Sequence, residues 1–275
     1  MIPQPMTPAT ETFHATPRHT DGVLVEGTGP PLVLAHGAGG GVELNFRPLV
    51  DALRDGRTLV GRDYPGSGER PRQPEPLILD VLADQLVTTA VEAGFDRFPV
   101  VGLSLGTAVA VTAALRHPEH VTGLYLTVGF ARPDAQMRIF ARVWQELARL
   151  EAWDALGHHL LEHCVSADAL GALPIEQVAA AAQEARSGYP AGGAEQVELA
   201  VHSDLSTRLG DIRVPTAVLV AEQDRVVMPA TTRELGRLIP RAEVSELAGA
   251  GHIFDAAQTV DWIGRIGVFL AAHRL

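Results

Sequence analysis

None of the 275 residues is lysine, so all 22 basic side chains are arginine. That absence removes side-chain Schiff bases to pyridoxal phosphate or to a carbonyl substrate, and it removes the lysine of a Walker phosphate loop. Cysteine occurs once, at Cys164, which excludes an intramolecular disulfide or a thiolate metal cluster and fits a reducing compartment. Basic residues are outnumbered, and a formal charge of −11 argues against a phosphate-backbone partner, so no nucleic acid is expected. No apolar run approaches the roughly 20 residues of a membrane span. The Pro/Thr-rich stretch Met1–Thr10 lacks both the basic and the apolar parts of a secretion signal and reads as a flexible tail. The expectation is a cytoplasmic protein with no membrane partner. What is present is ordinary globular composition, 46% hydrophobic and 20% charged, in a chain long enough for one large domain and an insertion.

Short strands are expected at Glu11–Thr16 and Val23–Glu26 around the turn signal Thr20-Asp21-Gly22. The continuous apolar run Pro31–Ala35 reads as a strand buried on both faces, and further strands are expected at Arg57–Gly61, Phe98–Leu103, Val121–Val128, Thr216–Ala221 and Ala242–Leu247. Helix-like segments separate most of them: Leu44–Leu53, a face marked by Leu79, Leu82, Leu86 and Ala90, Ser104–His117, Ala230–Leu238, and a closing helix to about His273. Alternation of this kind predicts an α/β fold, a mostly parallel sheet with helices on both faces. From Arg132 to Ser203 no β-like run appears, and helical composition is broken at Gly157, Gly171–Pro174 and Ser187–Pro190. The expected organisation is a tail at 1–10, a core at 11–131 and 204–275, and a helical cap at 132–203 lying over the carboxyl edge of the sheet. Such a cap predicts a closed apolar cavity beneath it.

The most informative local pattern is Gly102-Leu103-Ser104-Leu105-Gly106, set between a strand-like and a helix-like run. A strand reversing into a helix within so few residues strains the central backbone, and a glycine on either side leaves room for the approach. The serine hydroxyl would then stand out at the sheet edge beside the first amides of the helix. A serine needs a base and an orienting carboxylate, because its hydroxyl is too weakly acidic to ionise unaided. Asp224 follows the strand Thr216–Ala221 on the same sheet edge, and His252 lies in a Gly-containing loop after the next strand. Asp134, which follows the preceding strand, is the alternative acid; Asp255 is too close to His252 in the chain to brace that ring.

The order Ser104, Asp224, His252 resembles α/β-hydrolases of the esterase, haloperoxidase and C–C hydrolase kind. The resemblance also covers Val33-Leu34-Ala35-His36-Gly37, Asp63-Tyr64-Pro65-Gly66-Ser67-Gly68 and Gly251-His252, and spans nearly the whole chain. It implies an eight-stranded-type sheet, a hydrolytic triad, and an oxyanion hole made by the backbone amides of Ala38 and Leu105. Gly37, Phe130, Phe140 and Trp144 are expected against substrate, with Met137 and Trp153 packing the cap. His36 is expected to brace the oxyanion loop, and Asp63 to form a turn and part of the pocket wall. His159 and His163 have the spacing of a metal pair but no clear third ligand, so neither metal nor cofactor is expected.

The implied reaction is hydrolysis of an ester, lactone or thioester of a small-to-medium hydrophobic acyl substrate through an acyl-enzyme on Ser104. C–C bond hydrolysis, perhydrolysis, non-hydrolytic cyclase or dehydratase chemistry, and a ligand-binding receptor are all compatible with the same motifs. A homodimer is left open.

Overall fold

The computed structural model describes residues 18–275. The strand expected at Glu11–Thr16 and the tail at 1–10 lie outside the described residues. The strands are β1 (Arg18–Thr20), β2 (Val23–Gly27), β3 (Pro31–Ala35), β4 (Thr58–Arg62), β5 (Phe98–Leu103), β6 (Val121–Thr127), β7 (Thr216–Ala221) and β8 (Glu243–Leu247). They form one eight-stranded sheet in the order β1-β2-β4-β3-β5-β6-β7-β8. The first two run antiparallel to their neighbours and the remaining pairs are parallel.

Five helices flank the sheet: α1 (Val42–Leu53), α2 (Leu79–Glu92), α3 (Leu105–Arg116), α9 (Pro229–Leu238) and α10 (Ala256–Ala272). The strand side chains alternate between two cores, as the period of two requires. Val33, Val100, Leu126 and Val218 join α2, α3 and α9 on one face. Leu34, Val101, Tyr125 and Leu219 join α1 and α10 on the other. A buried hydrogen bond, Trp262 Nε1 to Thr127 Oγ1 at 2.9 Å, fixes α10 against β6. Glu26 of β2 accepts from Arg47 and Arg54, tying α1 and its exit to the sheet.

Between β6 and β7 the chain forms α4 (Ala135–Arg149), α5 (Trp153–Cys164), α6 (Ala167–Ala172), α7 (Val178–Ser187) and α8 (Gly193–His202). Gly157, read from sequence as a break, lies inside α5. A Cβ there would fall 2.3 Å from the carbonyl oxygen of Ala182, so the glycine serves close approach of α7 rather than helix termination. Elsewhere the expected boundaries move by one or two residues, as at β4 and α1, where caps and strand ends carry little side-chain signal.

The connection from β5 to α3 is the tightest in the fold. Ser104 has φ 52° and ψ −118°, a left-handed conformation costly for any residue with a Cβ. A Cβ on Gly106 would lie 1.9 Å from the Ala35 carbonyl oxygen, and one on Gly102 would lie 2.6 Å from that of Gly106. Gly264, by contrast, sits in α10 with nothing within 4 Å of its added Cβ. Two alanine substitutions should therefore act with opposite sign. Gly106→Ala is expected to cost about 3 kcal/mol or more by overpacking, whereas Gly264→Ala should gain roughly 0.5–1 kcal/mol of helix propensity. Urea denaturation of both variants checks this, and equal midpoints would contradict the packing described.

Candidate active site

Ser104 follows β5, Asp224 follows β7 and His252 follows β8, so parallel pairing delivers all three to one sheet edge. The Ser104 Oγ lies 3.1 Å from His252 Nε2, and His252 Nδ1 lies 2.7 Å from Asp224 Oδ2. Asp224 is 2% exposed, and its second oxygen accepts from the backbone amides of Val226 and Val227 at 2.8 and 2.9 Å. An ionised carboxylate held this way accepts the Nδ1–H, which leaves the Nε2 lone pair facing the serine hydroxyl.

The other carboxylates are occupied elsewhere. Asp134 caps α4, accepting from the Met137 amide at 2.8 Å and from the Thr231 hydroxyl. Asp255 forms a capping box with Gln258 at the start of α10. Asp63 does not line the cavity, which corrects the sequence reading. Its Oδ1 instead accepts from the Val42 amide at 2.7 Å, because the first amides of α1 lack intrahelical acceptors.

The loop from His36 to Gly41 leaves β3 at the same edge. His36 is fully buried; its Nε2 accepts from the Tyr64 amide at 2.9 Å, so Nδ1 carries the proton donated to the Gly37 carbonyl at 2.8 Å. Burial drives its pKa from 6.5 down to about 4, which keeps the ring neutral. The Gly37 amide donates to Asn45 Oδ1 and the Gly39 amide to Gln196 Oε1, at 2.8 and 2.9 Å. Between these engaged amides, the Ala38 N–H has no acceptor among the described residues, and neither has Leu105 at the first position of α3.

A cavity of about 750 Å³ opens above Ser104. Gly37, Phe130, Phe140 and Trp144, expected there from sequence, all line it, as do Met137, Leu160 and Val197. It is not fully closed: Leu44, Pro48, Glu184 and Ile253 among its lining residues are exposed. Glu184 is the one carboxylate and no arginine is found among the lining residues. Trp153, at 36% exposure, stands outside the cavity.

Cys164 also lines the cavity, but burial and then the Asp224 charge push its thiol up to about 12, so it remains protonated. The rings of His159 and His163 bond to the carbonyls of Phe140 and His159. Among the described residues no group of three or more His, Cys, Asp or Glu side chains could hold a metal ion. Nor is any helix among them long and apolar enough to cross a membrane. Sequence reasoning missed Asn45, which stands on α1 just after the glycine loop but in no recognisable pattern, and Gln196, which lies on a helix far from any motif; a glycine-rich loop with unsatisfied amides was the one hint that such partners had to exist.

The profile of the alpha/beta hydrolase fold matches residues 30–254. The chain is 31% identical over 251 residues to pyrrolizixenacetamide deacetylase of Xenorhabdus hominickii, covering 90% of this chain and 94% of that one. It is 32% identical over 242 residues to the pimeloyl-[acyl-carrier protein] methyl ester esterase of Xanthomonas oryzae pv. oryzae, covering 83% and 90%. Among solved structures, the enol-lactonase of Burkholderia xenovorans superposes with a TM-score of 0.77 at 23% identity, over 90% of this chain and 95% of that one.

The buried neutral His36 makes stability depend on pH. Its folded pKa of about 4 lies below the ordinary 6.5, so its contribution is complete above 6.5 and is lost as pH falls through that window. Full protonation costs on the order of 3 kcal/mol. Glu26, held at about 2 by Arg47, adds its own loss only below 4.5. Melting temperatures followed by circular dichroism should fall between these two histidine values, and His36→Asn should flatten that slope. A wild-type melting temperature constant across the window would refute the assignment.

Proposed function

The chain belongs to the α/β-hydrolase fold family, and from that premise we propose that it is a serine hydrolase cleaving an ester, lactone or thioester of a small-to-medium hydrophobic substrate. The observation that carries the reading is the unbroken hydrogen-bond chain from Ser104 Oγ through His252 to Asp224, at 3.1 and 2.7 Å. In the first half-reaction Ser104 Oγ attacks the acyl carbon while His252 Nε2 takes its proton. Asp224 holds the resulting imidazolium without itself becoming protonated. The carbonyl oxygen, now negative, receives hydrogen bonds from the Ala38 and Leu105 amides. Collapse of the tetrahedral intermediate breaks the bond to the leaving oxygen or sulfur, which His252 protonates. Water, deprotonated by the same histidine, then releases the acid and restores Ser104.

Residues 132–203 act in this reading as a cap whose apolar side chains, with Phe130, receive the acyl chain. A second reading, removal of an acyl group from nitrogen, is favoured by the relative named a deacetylase. It needs the same steps, with His252 protonating nitrogen.

Two measurements test the proposal. A fluorophosphonate probe should add one adduct at Ser104, and Ser104→Ala should abolish labelling and lower kcat/KM by about 10³-fold or more. Full turnover by Ser104→Ala would overturn the assignment. The cavity wall also predicts charge selection, since no arginine lines it to pair a buried carboxylate. An aryl ester of a straight-chain fatty acid should therefore exceed its ω-carboxylate counterpart by about 100-fold in kcat/KM, reflecting about 3 kcal/mol of unpaired-charge burial. Equal rates would exclude the apolar cavity as the acyl site.

A further inference from the structure

Gln196 lies on α8, 157 residues from the glycine loop it contacts, and it is fully buried. Its Oε1 accepts from the Gly39 amide at 2.9 Å, and its Nε2 donates to Ser67 Oγ at 2.8 Å and to the Pro65 carbonyl at 3.3 Å. Ser67 Oγ in turn donates to the Gly40 carbonyl at 2.6 Å. One amide side chain thus joins the helical segment to both the loop after β3 and the turn after β4. A buried amide with all these partners is costly to leave unmade and strongly fixes geometry.

The bond to Gly39 matters because of where Ala38 sits. The peptide between Gly37 and Ala38 is planar and trans, so the Gly37 carbonyl and the Ala38 N–H point in opposite directions. His36 holds that carbonyl, and Asn45 holds the preceding amide. On the far side of Ala38 the next peptide plane is fixed through the Gly39 N–H, and Gln196 is its holder. Gly39 itself has φ +71°, a conformation in which glycine is free to swing between basins. Trp144 packs so closely over it that an added Cβ would lie 2.4 Å from Cη2. The loop therefore has one half pinned by the α/β core and the other half pinned from the helices between β6 and β7.

We propose that Gln196 is a positioning residue for catalysis: by clamping the Gly39 amide it sets the direction of the Ala38 N–H toward the oxyanion. This rests on the serine-hydrolase reading and assigns the helical segment a part in the chemistry as well as in substrate binding. The clamp acts on a group whose hydrogen bond strengthens as charge develops, so its loss falls on the transition state rather than on ground-state binding.

The test is Gln196→Met, which keeps the side-chain length and removes both polar atoms. With a neutral aryl ester, kcat should fall by about 10- to 100-fold while KM stays within about twofold. Affinity for an alkylboronic acid, whose tetrahedral adduct on serine places an oxygen in the same hole, should fall in parallel with kcat. A merely structural role would lower the melting temperature and the yield of folded protein but leave kcat and boronate affinity per folded molecule unchanged, and that result would overturn the proposal. Should Gln196→Met not fold, Gln196→Asn serves instead: it keeps a polar amide but is one carbon too short to reach the Gly39 N–H, and should lower kcat several-fold at constant KM. An unchanged kcat there refutes the clamp. If the unaltered protein hydrolyses the ester and labels at Ser104, failure concerns Gln196 alone. If it does neither, the hydrolase reading fails and the role of Gln196 falls with it.

Discussion

The approach of α3 to the end of β3 is the constraint from which the rest of the site follows. With Gly106 seated against the Ala35 and His36 carbonyls, no room remains for a relaxed turn, and Ser104 must adopt its left-handed backbone. That strain is held by neighbours rather than by the turn itself. The Ser104 amide donates to the Thr127 carbonyl of β6, while the amide and hydroxyl of Thr107 both donate to the Ser104 carbonyl. A residue in a sparsely populated conformation persists only where its surroundings over-determine it. Here the sheet on one side and the first turn of α3 on the other leave the hydroxyl with one direction to point, toward His252.

The same edge divides polar from apolar work. Beneath the cavity floor the polar groups that hold the site have partners: Asp224 takes two amides and an imidazole, His36 an amide and a carbonyl, and Gln196 three partners. Above the floor the wall is mostly hydrocarbon and aromatic. Fixed dipoles in such a poorly screened setting act strongly on a developing charge, because they need no reorganisation when it appears. In the proposed reading the Ala38 and Leu105 amides would act for that reason, and the net charge of −11 on the whole chain would have little part in it.

Much of this was legible in the chain. Strand order along the sequence, the elbow, and the order Ser104, Asp224, His252 could be read because each depends on local pattern: short apolar runs, paired glycines, and short motifs at strand ends. The same holds for Phe130, Phe140 and Trp144, whose size and placement marked them for a cavity. What could not be read were contacts set by packing between distant segments. Gly157 looks like a helix breaker in one dimension, and only the proximity of Ala182 reveals that its missing side chain lets two helices touch. Asp63 sits in a turn-rich motif near the site, yet its hydrogen bond goes to the start of α1, a destination fixed by how that helix lies on the sheet. Gln196 is one of many polar residues in a helix-forming stretch, with nothing nearby to distinguish it from its solvent-facing neighbours.

The helices between β6 and β7 carry two loads that are separable in space. α4 and α8 meet the core at the glycine loop and the turn beside it: Trp144 lies over Gly39, Gln196 holds the Gly39 amide, and the Gly192 amide donates to the Gly66 carbonyl at 3.0 Å. Gly66 and Gly192 come so close that a Cβ on either would lie under 2.5 Å from the other's segment, which leaves that side no freedom to lift. Other cavity-lining residues are exposed and belong to different segments: Glu184 of α7, Leu44 of α1 and Ile253. In the proposed reading α4 and α8 would steady the loop that carries the Ala38 amide, while α7 contributes to the cavity wall.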